Sequence, residues 1–239
     1  MNKQRLTRFI KKYYLGGTVN SIVLKSSSDK LSARFISGDK TLLGELNMDK
    51  SQIEDCEVGV YNTDQLSKLL DVLDDDINVT IFKSGDKAIS LKISDAYSTV
   101  NYMLSDTSVI NKPPQLKSIP EFHLEIDVTT QFIKKFIAGK GALPDTDNFT
   151  VITDGVDTRL VIGHSSINTN RVTIPVTTSK SSNIENISFN ATIFKEVLSA
   201  NEECESAKFE VSGDGLSRIT FKVDDYESTY NLVSVQDID

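Results

Sequence analysis

An α+β protein made of two copies of one domain, each with two helices packed on antiparallel sheets, is what this 239-residue sequence predicts. Three observations carry that reading. Blocks of similar sequence recur in the same order with a period near 125 residues. Each block opens on helical periodicity, passes through alternating β-branched stretches, and repeats that sequence of signals once more. Three of the five prolines crowd into one short segment between the blocks.

The duplication is found by looking for internal repeats before assigning elements. Phe9-Ile10-Lys11-Lys12-Tyr13 returns 123 residues later as Phe132-Ile133-Lys134-Lys135-Phe136. Tyr61-Asn62 with Leu66, Leu69 and Leu70 returns at an offset of 128 as Phe189-Asn190 with Phe194, Val197 and Leu198. Ser84-Gly85-Asp86 returns at the same offset of 128 as Ser212-Gly213-Asp214. Ile89 to Ile93 and Ser98-Thr99 match Ile219 to Val223 and Ser228-Thr229, both at 130. Collinear matches with a slowly growing offset are the mark of a duplicated domain.

Within the first copy, Leu6, Phe9, Ile10 and Tyr13 follow the i, i+3, i+4, i+7 rule of an amphipathic helix, closed by Gly16-Gly17. Ser21-Ile22-Val23-Leu24 and Glu57-Val58-Gly59-Val60-Tyr61 read as strands. A second helix is expected from Thr63, taken as its N-cap, through Leu66, Leu69, Leu70 and Leu73. Strands follow at Asn78 to Phe82, Ala88 to Ile93 and Thr99 to Leu104, with Ser84-Gly85-Asp86 as a hairpin turn. The second copy repeats this, with helices near Thr129 to Ala138 and Thr192 to Ala200.

Proline lacks a backbone donor and resists helix and central strand alike. Asn111-Lys112-Pro113-Pro114 and Ile119-Pro120 therefore mark an extended linker. The expected division is a first domain over residues 1–110, a linker over 111–121 and a second domain over 122–239.

The formal charge of −8 argues, as an average, against a nucleic-acid partner. Its distribution argues otherwise. Residues 1–28 hold six bases (Lys3, Arg5, Arg8, Lys11, Lys12, Lys25) and no acid, leaving 20 bases against 34 acids in the rest. At roughly 100° per residue, Arg5, Arg8, Lys11 and Lys12 fall opposite the apolar stripe of the first helix. Lys134 and Lys135 do the same in the second copy, where no acid lies between Asp127 and Asp145. A solvated helix face ordinarily mixes signs; these two do not. In the second helices the pattern weakens, since Lys68 is matched by Glu196.

Chemistry is not expected. No GxxxxGK[ST], GxSxG or HExxH motif occurs, and His123 and His164 do not form a pair. Asp74-Asp75-Asp76, Asp95 and Asp224-Asp225 read as turn acids. Cys56 and Cys204 are isolated and read as buried thiols, with no metal site and no disulfide. No apolar run approaches the roughly 20 residues of a membrane span, and Lys11 and Lys12 interrupt what would be the core of a signal peptide. A cytoplasmic protein that is not secreted is expected.

These features together resemble the DNA sliding clamps, the processivity factors of replicative polymerases, and within them the clamps of T-even-type bacteriophages. The residues that carry the resemblance are Cys56 to Tyr61 leading into Leu66 to Asp76, then Ile93-Ser94-Asp95-Ala96-Tyr97-Ser98-Thr99, then Asn111-Lys112-Pro113. The resemblance implies a DNA-clamp fold assembled into a closed ring around duplex DNA. It also implies a homotrimer, since such rings hold six domains, and the cytoplasm of an infected host cell. Carried over by position, the DNA-facing residues are Lys3, Arg5, Arg8, Lys11, Lys12, Lys134 and Lys135, joined by Lys68 and Lys140. The implied partners are non-sequence-specific double-stranded DNA, the replicative DNA polymerase, an ATP-driven clamp loader and factors of late transcription, with no enzymatic activity and no cofactor. A pocket for partner peptides is implied at Phe35, Ile110, Leu116, Val233 and Val235. The competing reading is a phage structural ring, of tail or capsid, built from duplicated β-rich domains.

Overall fold

The structure is a computed structural model that describes residues 1–116, 118–167 and 169–235. Residue 117, within the expected linker, lies outside the described residues, as do residues 236–239 at the end of the expected second domain. Two compact units divide the chain. The first comprises Met1–Gly38, Gly44–Pro114 and Asp224–Ser228, and the second comprises Asp39–Leu43 with the stretches from Gln115 to Val223 and from Thr229 onward.

The first unit begins with α1 (Lys3–Tyr14) and a short 3-10 turn at Leu15–Gly17. It continues with β1 (Ile22–Ser27), β2 (Lys30–Ile36), β3 (Leu42–Asp49), β4 (Cys56–Val60), α2 (Thr63–Leu70), β5 (Asn78–Ser84), β6 (Lys87–Ser94) and β7 (Thr99–Met103). Asn2 caps α1 by accepting from the backbone N–H of Gln4 at 2.8 Å. The helix stops where the sequence places its stop, because Leu15, Gly16 and Gly17 all take positive φ.

Strands run in the order β3-β2-β1-β4. β1 is antiparallel to both neighbours, with Leu24 facing Ala33 on one side and Val58 on the other. β5, β6 and β7 form a separate antiparallel sheet in which Ile81, Leu91 and Tyr102 share one buried row. Alternation of buried and open positions along β1, β2 and β3 puts one face of that sheet on the core. On that core lie Leu6, Phe9, Ile10 and Tyr13 of α1. Gly44 is required here, since a Cβ at this position would stand 2.1 Å from the Phe35 ring.

One expected boundary is corrected. The N-cap of α2 is Asn62, whose Oδ1 accepts from the backbone N–H of Gln65 at 3.0 Å. Thr63 is the first helical residue, fully buried, and its hydroxyl donates to Asn20 O at 2.8 Å. The helix ends at Leu70, and Leu73 packs into the core from beyond it.

The second unit contains β8 (Leu124–Thr129), α3 (Thr130–Ala142), β9 (Asn148–Thr153), β10 (Thr158–Ile162) and β11 (Val172–Val176). It goes on through β12 (Thr178–Lys180), β13 (Ile187–Asn190), α4 (Ala191–Ala200), β14 (Ser206–Val211), β15 (Leu216–Val223) and β16 (Tyr226–Val233), the first residues of β16 counting with the first unit. Its strands form two groups, in the orders β12-β8-β14-β15-β16 and β11-β10-β9-β13. The N-cap of α4 is Asn190, accepting from Ile193 N at 2.9 Å, so the repeat-equivalent asparagines 62 and 190 hold the same post. α3 runs past the expected Ala138 because Gly139 does not break it. That glycine is pressed so close to β11 that a Cβ would lie 3.0 Å from Val172 Cγ1.

The core of this unit is aromatic. Phe194 lies 4.9 Å from Phe136, 4.8 Å from Phe149 and 4.8 Å from Phe209, ring centroid to centroid. Such pairs add roughly 0.5–1.5 kcal/mol each beyond the area they bury. These contacts pin α3 and α4 to the sheet and thereby fix which side of α3 looks outward.

Candidate nucleic-acid interface

With Leu6, Phe9, Ile10 and Tyr13 buried, the remaining surface of α1 divides into two stripes. Gln4, Thr7 and Lys11 are exposed and follow i, i+3, i+7 spacing. Arg5, Arg8 and Lys12 share that spacing on a second stripe, and this one is covered by the turn at residues 224–226. Arg5 donates to Asp49 O at 2.7 Å and pairs with the Asp225 carboxylate at 3.1 Å. Arg8 pairs with Asp224 Oδ2 at 3.0 Å, and its guanidinium lies 4.7 Å from the centroid of the Tyr226 ring. Tyr226 in turn donates from its hydroxyl to Arg5 O at 2.9 Å.

Lys12 departs from the outward position expected of it. Only 1% exposed, it sits with its ammonium 5.7 Å from the Tyr226 ring centroid. The helical wheel places it correctly relative to Arg5 and Arg8; what the wheel lacks is the tyrosine that closes over this stripe. Lys3, half-buried, donates from Nζ to the carbonyl of Leu73, which lies beyond α2. Among the basic side chains of α1, Lys11 is thus the exposed one.

The electrostatics follow from those contacts. A hydrogen bond from Lys50 at 3.0 Å, followed by the charges of Lys50 and Arg5, holds the Asp225 carboxyl below the usual carboxylate range despite an opposing desolvation. Burial pushes the Tyr226 phenol up, against the pull of Arg8 and Arg5. On α2, Lys68 is exposed and pairs with Asp64 one turn earlier at 2.6 Å. That hydrogen bond raises the ammonium above its ordinary range, and such an i, i+4 pair offsets the local positive charge.

In the second unit Lys134 and Lys135 are exposed on α3 and form no ion pair among the described residues. Lys135 also borders a cleft of about 690 Å³ whose other walls include Asp127, Gln131, Phe132 and the β11 residues Ile174 and Val176; sequence periodicity carries no signal for it. Lys140 is corrected. It is 5% exposed, and its Nζ donates to the carbonyls of Pro144 at 2.8 Å and Leu143 at 3.4 Å. A helix end leaves carbonyls without partners, and this lysine turns inward to supply the chain just past that end. On α4, Glu196 pairs with Lys195 at 3.0 Å, so that helix presents no positive face, in keeping with the departure seen in the sequence.

Of the residues expected to form a peptide pocket, two are core. Phe35 is buried against Tyr13, ring centroids 6.4 Å apart, and over Gly44. Ile110 is buried beside Gly59. Both therefore serve packing within the first unit instead of lining an open surface. In the second unit Leu116 and Val233 are exposed and Val235 is half-buried, its backbone N–H donating to Ser188 O at 2.9 Å.

The turn acids behave as turn acids. The Asp95 carboxylate accepts from the backbone N–H groups of Asp74, Tyr97 and Ser98, which holds it below the ordinary range, the bond from Asp74 being the largest cause. Among the described residues no group of three or more His, Cys, Asp or Glu side chains is placed to hold a metal ion.

No protein-family model and no curated protein matches this chain. Among solved structures it is similar to proliferating cellular nuclear antigen from Entamoeba histolytica, at 17% identity over 98% of this chain and 96% of that one, with a TM-score of 0.73. It is also similar to A. fulgidus PCNA in a structure with the C-terminal region of FEN-1 bound, at 14% identity over 100% of this chain and 98% of that one, with a TM-score of 0.79. At such identities the likeness is one of fold. The chain is α+β, few helices on antiparallel sheets, in the manner of PCNA-like clamp domains.

Proposed function

We propose that the chain is a sliding clamp, a ring that encircles duplex DNA and tethers a replicative DNA polymerase for processive synthesis. The observation that carries this is the placing of Lys11, Lys134 and Lys135, exposed on the first helix of each copy, in a protein whose overall charge is −8. Cations on these helices would meet phosphates without reading bases, and a ring held by topology can keep each contact weak enough to slide. The whole-length likeness in fold to PCNA structures supports the same reading.

In finer terms the proposed protein is a homotrimer of the T-even bacteriophage type, acting in the cytoplasm of the infected cell. An ATP-driven clamp loader would place it on DNA, and late-transcription factors would share its surface. It would act as a scaffold, not as an enzyme. Analytical ultracentrifugation over a concentration series tests the assembly. A species of three times the 26.5 kDa chain mass is expected at high concentration; a strict monomer at every concentration would contradict it.

A further inference from the structure

The two carboxylates at the turn against α1 hold their partners differently. Asp225, 27% exposed in its side chain, is tied by Arg5 at 3.1 Å and by Lys50 at 3.0 Å. Asp224, 66% exposed, meets the Arg8 guanidinium at 3.0 Å, and that arginine is 36% exposed. Tyr226 lies against the same guanidinium, 4.7 Å away, so Arg8 is held in place by an aromatic face whichever anion it meets. Asp225 is thus an anchor, whereas the Arg8–Asp224 pair is open to water and to a competing anion.

We infer that Asp224 is an internal competitor for the backbone phosphate that Arg8 would contact on duplex DNA. This rests on the clamp reading and adds a determinant of its affinity. An exposed Arg–carboxylate pair is worth about 0–1 kcal/mol, so a phosphate can displace Asp224 at little cost, and Asp224 can recapture Arg8 as the phosphate passes. The carboxylate keeps Arg8 from holding any one phosphate. Lys134 and Lys135 have no such partner among the described residues, so the two copies would grip DNA unequally.

The test is binding of a fluorescein-labelled duplex, followed by anisotropy over a salt series, for wild type, Asp224→Asn, Arg8→Gln and the double variant. Asparagine enters the left-handed region that Asp224 occupies, at φ 53°, as readily as aspartate does, so an unchanged thermal midpoint is expected. Asp224→Asn should tighten binding roughly two- to fivefold, the range set by loss of one surface ion pair, and should steepen the plot of log K against log salt. Arg8→Gln should abolish that gain, the double variant binding as Arg8→Gln alone. An equal gain from Asp224→Asn with and without Arg8 would overturn the inference, making Asp224 a general repulsive charge. No gain at all would also overturn it while leaving the clamp reading standing. Absence of salt-dependent duplex binding by wild type and every variant would overturn both.

Discussion

The Tyr13 hydroxyl lies 3.3 Å from Thr63 Oγ1 inside the first unit, and this contact joins α1 to α2. Thr63 commits its own proton to Asn20 O, so the phenol is the donor. Burial pushes the Tyr13 phenol well above its ordinary range. Tyr13→Phe should cost about 0.5–1.5 kcal/mol in urea unfolding at neutral pH, the usual net worth of one hydrogen bond. A phenol whose folded pKa is raised contributes stability that is present below its unfolded value of about 10 and is lost as pH rises past it. Wild type should therefore lose more stability than Tyr13→Phe above that pH.

Lys140 and Lys134 stand six residues apart on α3 and should answer mutation in opposite ways. Lys140→Met removes the charged donor to the Pro144 and Leu143 carbonyls, and a hydrogen bond from a charged group is worth about 1.5–3 kcal/mol. Thermal unfolding should report that loss while duplex affinity stays at the wild-type value.

Phe194 is fully buried in the second unit among Phe136, Phe149 and Phe209. Phe194→Ala should destabilise by about 3–5 kcal/mol, the range for truncating a buried aromatic. The change is measured as a lower urea midpoint.

How much of this was legible in the sequence follows from what each residue depends on. The duplication, the apolar stripes and the Gly16-Gly17 stop are local patterns, so they could be read directly. Asn62 and Thr63 are both adequate caps standing side by side, and only the buried hydroxyl-to-Asn20 bond separates their roles. The burial of Lys12 has no local signal, because the ring it lies against belongs to Tyr226, more than 200 residues along the chain. Asp224 and Asp225 were legible as a turn, but their pairing with Arg8 and Arg5 is likewise a matter of tertiary structure. Lys140 had the right charge on the right helix, yet the carbonyls past the helix end drew it inward.

Lys11 and Lys134 are exposed at repeat-equivalent helices and lie outside both cores. Lys11→Glu combined with Lys134→Glu should leave the thermal midpoint and the oligomeric mass unchanged. The slope of log K against log salt for duplex binding should become shallower, since each phosphate contact contributes about 0.9 to it. Loss of assembly in the double variant would mean instead that these lysines hold the structure together.

Retention on DNA of different topology tests the central claim most directly. The protein is loaded by an ATP-driven clamp loader onto a nicked circular plasmid, freed of unbound material by gel filtration, and the circle is then cut at one site. A ring threaded by the duplex should remain with the circle at a salt concentration that abolishes ordinary binding, and should run off once the circle is linearised. Equal retention on circular and linear DNA would contradict the account.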